Sequence, residues 1–213
     1  MKLIFGGGGS GEQSLATDKV FLSLLKENAK ILYIPIALRH KYSPEECLKW
    51  FNGQYPTLKT QTTLADNLNE INSLNDFEGI YIGGGNTFSL LQEIREANFD
   101  KKLIAFAKKG GIIYGGSAGA IILAETILSS TDKNISSLNN FEALRLLKNI
   151  AIWPHYKKEQ DQKIYEFTKQ HKVSILSISE EGGLYFDGNI LKILGDNVCL
   201  FFSEQKIELN PSL

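Results

Sequence analysis

The chain has 213 residues, 43% of them apolar and 22% charged, with a formal net charge of -1. That composition suits one folded unit spanning 1–213 and disfavours a disordered chain. It also argues against a general nucleic-acid binder, which would carry a basic surplus. No apolar run reaches membrane-spanning length, because Ile112–Ala124 is broken by Gly115, Gly116 and Gly119. Two cysteines, Cys47 and Cys199, and three histidines provide neither a disulfide framework nor a metal-ligand spacing. The expectation is a cytoplasmic protein without a metal site, with no nucleic-acid or membrane partner.

The N-terminal KLIF, residues 2–5, reads as a first buried strand and is too short for a leader. A helix-like stretch over 14–27 follows, then a strand over 30–36, a helix over 44–53, a strand over 58–64 and a helix over 66–74. Next come a strand over 79–82, helices over 87–97 and 99–109, a strand over 111–114 and a helix over 118–124. Glu125 to Asn140 is rich in Ser, Asn, Thr and Asp and lacks periodicity, which predicts a long loop of the kind that is often functional. Strands over 150–153 and 173–178 flank a helix over 157–170, where Ile164 and Phe167 supply the apolar face. This alternation predicts an α/β fold with a mostly parallel central sheet flanked by helices, of flavodoxin-like type. Turn signals at Asp187-Gly188-Asn189 and Gly195-Asp196-Asn197 predict a short C-terminal β hairpin or meander.

Three glycine clusters, Gly6–Gly11, Gly83–Gly85 and Gly115–Gly119, each follow a strand and so emerge at the carboxyl edge of a parallel sheet. Gly6, Gly8 and Gly11 satisfy G-x-G-x-x-G. The carboxylate that should follow the second strand is replaced by Arg39 and His40, so a close-packed turn is favoured over a dinucleotide loop. Asn86 or Thr87 would cap the helix after Gly83–Gly85. Gly115-x-Ser117-x-Gly119 matches a nucleophile elbow between strand and helix. The N–H of Ala118 would then face the oxyanion, with a second donor from Gly84 or Gly85. The alternative is a serine that only caps a helix between packing glycines. Of the histidines, His155 stands just past a strand behind Pro154, at the same sheet edge as Ser117. Asp132 in the polar loop, and Glu180 or Glu181 after the 173–178 strand, are the candidate carboxylates to orient it.

The strings IGGGNTFSLL, GGSAGA, STD and WPHY, in this order, resemble the peptidase E (aspartyl dipeptidase) family of serine peptidases. That family falls within the class I glutamine amidotransferase-like superfamily. The resemblance covers most of the chain and is sharpest from Tyr81 to Glu181. It implies Ser117 as nucleophile, His155 as base, and Gly85 (or Gly84) with Ala118 as oxyanion donors. Asp132, fifteen positions beyond Ser117, falls where the family's aspartate lies, and Glu181 is the competing orienter. An arginine that would hold a substrate aspartate has no counterpart here. Gln160 stands at its position, with Lys157, Lys158 and Lys163 nearby.

The reading is a serine hydrolase of short peptides, dipeptides above all, with Asn86, Thr87 and Gln160 near the substrate and no cofactor. A homodimer is the default for an enzyme of this size. The other readings are a superfamily member that acts on another amide or only binds, and a nucleotide-binding protein.

Overall fold

The computed structural model describes residues 1–211. Five strands pair in parallel: β1 (Lys2–Gly6), β2 (Ile31–Ile34), β3 (Thr62–Leu64), β4 (Gly79–Ile82) and β5 (Ile112–Gly116). Their order is β3-β2-β4-β5-β1. Every residue of β2, β4 and β5 is buried, as runs such as ILYI and GIYI require of strands covered on both faces. Alternation divides them between two cores. Leu3, Leu32, Ile80 and Ile113 pack toward α3 (Thr87–Glu96), α4 (Phe99–Lys108) and α5 (Ala118–Leu123). Ile4, Tyr33, Tyr81 and Tyr114 pack toward α1 (Leu15–Leu24) and α2 (Pro44–Gln54), through Phe21, Phe51 and Tyr55.

The fold is thus α/β with a mainly parallel sheet flanked by helices. The C-terminal strands form two hairpins rather than one. β8 (Gly182–Phe186) and β9 (Leu191–Gly195) extend the main sheet, β8 running antiparallel to β1. Asp187 closes their turn by accepting from the N–H groups of Asn189 and Ile190.

The remaining strands make a second sheet, in the order β11 (Gln205–Leu209), β10 (Val198–Phe202), β7 (Ser174–Ile178), β6 (Ile150–Trp153). The runs IAIW and VSILSI therefore do not join the central sheet. β8 occupies the edge beside β1, and β6 and β7 pair in parallel with each other, linked by α6 (Asp161–His171). Ile152, Leu176 and Ile178 face the main core, while Trp153, Ile175 and Phe201 form a small core with Ile164 of α6.

Two shorter expectations are corrected. Residues 66–74 hold only a 3-10 turn, Leu68–Glu70, because one polar turn cannot recover the cost of nucleating a helix. The 58–64 strand shrinks to Thr62–Leu64 behind a 3-10 turn at Pro56–Leu58. Among the described residues, no helix is long and apolar enough to cross a membrane.

Candidate active site

Between β5 and α5 the chain turns at Ser117, whose φ of 49° and ψ of -108° put a non-glycine residue in a strained region. The turn is over-determined. Ser117 N–H donates to the Gly6 carbonyl at 3.1 Å, and the Ser117 carbonyl accepts from Ile121 N–H at 3.1 Å. The flanking glycines are steric necessities. A Cβ on Gly115 would lie 2.5 Å from the Gly119 carbonyl, and one on Gly119 would lie 2.3 Å from the Ile82 oxygen. The elbow pattern of the sequence is therefore the pattern that lets α5 start against β4 and β5.

The partner of Ser117 comes from the other sheet. His155 and Glu180 follow β6 and β7, which are parallel neighbours with Trp153 opposite Ser177, so their two exits lie side by side. His155 N–H donates to the Gly7 carbonyl at 2.8 Å, tying this exit to the glycine loop after β1. His155 Nε2 lies 2.8 Å from Ser117 Oγ, and Nδ1 lies 3.1 Å from Glu180 Oε1. With Nδ1–H donating to the carboxylate, Nε2 is left free to accept the serine proton. Gln13 Nε2 donates to the other carboxylate oxygen at 3.0 Å. The hydrogen bonds from His155 and Gln13 hold the Glu180 carboxyl below its ordinary range. The His155 and Glu180 side chains are 46% and 43% exposed, so the dyad is reachable by water. Gly8, at φ +110°, passes under the imidazole; a Cβ there would lie 2.2 Å from His155 Cε1.

Gly84 abuts the serine, a Cβ on it falling 3.3 Å from Ser117 Cβ. Among the described residues, the N–H groups of Gly84, Gly85 and Ala118 donate to no protein acceptor. They are backbone donors left open beside the hydroxyl. Among the same residues, no group of three or more His, Cys, Asp or Glu could hold a metal ion.

Other positions fall elsewhere. Asp132 does not meet His155. Its Oδ2 accepts from Thr87 N–H at 2.8 Å, Thr87 Oγ1 at 2.7 Å and Ser130 Oγ at 3.0 Å. A carboxylate at the start of α3 satisfies orphan amides there, and that contact takes the side chain. Glu181 is exposed and makes no hydrogen bond to the imidazole; the strand end turns Glu180 to it instead. Asn86 caps α3 by accepting from Ser89 N–H and donates to the Lys133 carbonyl at 2.9 Å. Asn86 and Thr87 thus fasten the 125–140 loop rather than line the cleft. Gln160 accepts from Lys157 N–H at 2.8 Å, closing the turn before α6, and is not among the residues lining the cleft beside Ser117. Gln13 carried no motif and could not be singled out from sequence. The glycine loop after β1 brings it to the site: a Cβ on Gly9 would lie 2.6 Å from Gln13 Cβ and 2.3 Å from the Glu180 carbonyl oxygen.

The cleft beside Ser117 and His155 has a volume of about 680 Å³. Gly8–Ser10, Gly83–Gly85 and Gly116 supply backbone walls. Tyr33, Tyr42, Trp50, Tyr81 and Tyr114 supply rings, and Lys41 and Glu46 the charged groups.

The sequence profile of peptidase family S51 matches residues 2–194. Peptidase E of Shewanella putrefaciens (strain CN-32 / ATCC BAA-453) is 32% identical over 150 residues, 65% of this chain and 63% of the relative. Peptidase E of Shewanella amazonensis (strain ATCC BAA-1098 / SB2B) is 32% identical over 140 residues, 61% of this chain and 59% of the relative. The match therefore spans less than two thirds of these relatives' length. Among solved structures, a protein provisionally called peptidase E from Listeria monocytogenes EGD-e superposes with a TM-score of 0.72 at 21% identity, covering 92% of this chain and 98% of its own. A peptidase from an acI-B1 Actinobacterium does so with a TM-score of 0.63 at 18% identity, covering 98% and 96%. Both share the fold.

Proposed function

The chain belongs to peptidase family S51, and from that membership we propose that it is a serine peptidase hydrolysing short peptides, dipeptides above all. Ser117 is the nucleophile, His155 the general base, and Glu180 the carboxylate that orients the imidazole. The observation that carries this reading is the 2.8 Å contact of Ser117 Oγ with His155 Nε2 at a strained turn. A cleft of about 680 Å³ suits a ligand of two or three residues rather than a folded protein.

As Ser117 Oγ bonds to the carbonyl carbon, its proton passes to His155 Nε2. The carbonyl oxygen becomes an oxyanion and takes hydrogen bonds from the N–H groups of Gly84 or Gly85 and Ala118. Collapse breaks the C–N bond, and the His155 proton leaves with the amine. Water then gives its proton to the same nitrogen and attacks the acyl ester. The ester C–O bond breaks, Ser117 recovers its proton, and the carboxylic acid departs. Glu180 keeps the imidazolium paired during both steps.

The test combines labelling by a small fluorophosphonate with cleavage of a dipeptide panel read by mass spectrometry. Labelling of Ser117, and cleavage that falls at least about 10³-fold in Ser117→Ala, are expected. Cleavage that persists in that variant, or a chain that neither labels nor cleaves, overturns the reading.

A further inference from the structure

We infer that the cleft selects an aromatic side chain on the residue whose carbonyl Ser117 attacks, so that the substrates are short peptides with Phe, Tyr or Trp on the acyl side. The inference rests on the proposal that Ser117 is the nucleophile. Its basis is a row of rings set by strand register. Tyr33 lies opposite Tyr81, and Tyr81 opposite Tyr114, on β2, β4 and β5. Tyr81 stacks on Tyr114 with centroids 4.6 Å apart and meets Tyr33 edge-on at 5.6 Å. The row reaches the nucleophile: a Cβ on Gly116, the residue before Ser117, would lie 3.4 Å from the Tyr81 hydroxyl.

From α2, Trp50 closes over the row, 6.3 Å from Tyr33 and 6.1 Å from Tyr81. Trp50 remains 41% exposed and Tyr42 is 42% exposed, and both line this one cavity. Exposed rings converging beside a nucleophile leave apolar surface that a substrate ring can cover, in the edge and offset geometries such rings prefer.

Among the described residues, Lys41 is the one cation on the wall, and it offers a carboxylate a point charge rather than a planar fork. Lys41 Nζ lies 5.2 Å from the centroid of the Tyr42 ring. Arg39, the nearest arginine in sequence, turns away to Glu93 and the Asp66 carbonyl. Glu46, the one acidic group on the wall, accepts from Ser43 N–H at 2.8 Å. A substrate carboxylate here would lose water without gaining the bidentate partner an arginine supplies.

The experiment measures kcat/KM of the full chain for Phe-Leu, Tyr-Leu, Ala-Leu and Asp-Leu, beside fluorophosphonate labelling of Ser117. Phe-Leu and Tyr-Leu are expected to exceed Ala-Leu and Asp-Leu by about tenfold or more. Trp50→Ala is expected to reduce the Phe-Leu to Ala-Leu ratio by about tenfold, with Tyr42→Ser as a second variant and a thermal melt to establish that each is folded. Ala-Leu or Asp-Leu cleaved as fast as Phe-Leu overturns the inference, as does an unchanged ratio in both folded variants. If Ser117 labels but no peptide is cleaved, the aromatic-substrate inference fails while the nucleophile stands. If it neither labels nor cleaves, the proposed activity fails too.

Discussion

Replacing Glu180 by Gln tests which carboxylate serves the imidazole, because Asp132→Ala provides the opposing case. The Glu180 carboxylate lies 3.1 Å from His155 Nδ1. A unit charge pair at that distance is worth about 1.3 kcal/mol in water and about 5 kcal/mol at an effective dielectric constant near 20. With both side chains nearly half exposed, the value falls toward the lower limit. Glu180→Gln should therefore reduce kcat/KM by about 10- to 100-fold, with Tm nearly unchanged. That is far less than a buried triad carboxylate contributes. Asp132→Ala instead leaves Thr87, buried at 0% exposure, without the acceptor for its N–H and hydroxyl. The expected cost is about 1–3 kcal/mol of stability, read as roughly 2–4 °C in Tm for each kcal/mol, with a smaller kinetic effect.

The pH profile adds a sign. Glu180 titrates below its ordinary value of 4.5 when folded. Its contribution is complete above that value and is lost as pH falls through the folded pKa. The carboxylate therefore stays ionised across a pH 5–8 assay, and its pairing with the imidazolium is lost only as pH falls below about 4.5. Peptide hydrolysis assayed across pH, with Tm by calorimetry, decides the matter. An Asp132→Ala loss above 100-fold at unchanged Tm, together with a Glu180→Gln effect under twofold, would refute the assignment.

Gly8→Ala places a Cβ 2.2 Å from His155 Cε1, so kcat/KM should drop by about 100-fold through displacement of the ring. An assay within threefold of wild type would show that the ring tolerates the shift. Gln13→Leu removes the 3.0 Å bond to Glu180 Oε2 and should lower kcat by about 3- to 10-fold. In a Glu180→Gln background it should add nothing; independent, multiplying losses in that cycle would deny Gln13 a positioning role. Asp18, 6% exposed, accepts from Ser14 Oγ at 2.7 Å and Gln54 Nε2 at 2.6 Å through one oxygen, and from Tyr55 OH at 2.6 Å through the other. In Asp18→Asn the NH2 must face either Gln54 Nε2, itself a donor, or the Tyr55 hydroxyl, which then loses its acceptor. Calorimetry should show a loss of about 2–3 kcal/mol, and an unchanged Tm would refute this.

Ser117 and His155 could be picked out of the sequence because their constraints are local. Gly115 and Gly119 exist to let helix meet strand, and Pro154-His155 directly follows an apolar run, so each pattern reports a turn at a strand's end. The orienting carboxylate depends on register. Glu180 and Glu181 are adjacent and chemically alike, and only the pairing of β7 with β6 and β10 decides which one turns to the imidazole. Asp132 matched a spacing, but spacing does not reveal that Thr87 N–H and hydroxyl compete for its carboxylate.

The division into two sheets was hidden for a related reason. IAIW and VSILSI are as apolar as the strands of the main sheet, and what excludes them is β8, which reaches the edge beside β1 through a contact distant in sequence. The aromatic wall is the extreme case. Tyr33, Tyr81 and Tyr114 sit in unrelated segments, and each alone reads as a core residue. They become one buried row under the cleft because the strand order β2-β4-β5 sets them side by side in register. A slip of one residue in β4 would send Tyr81 to the opposite face and break the row without touching the serine turn. If the rings select the substrate as proposed, that selection is encoded by strand order and register, separately from the local glycine and serine patterns that build the Ser117 turn.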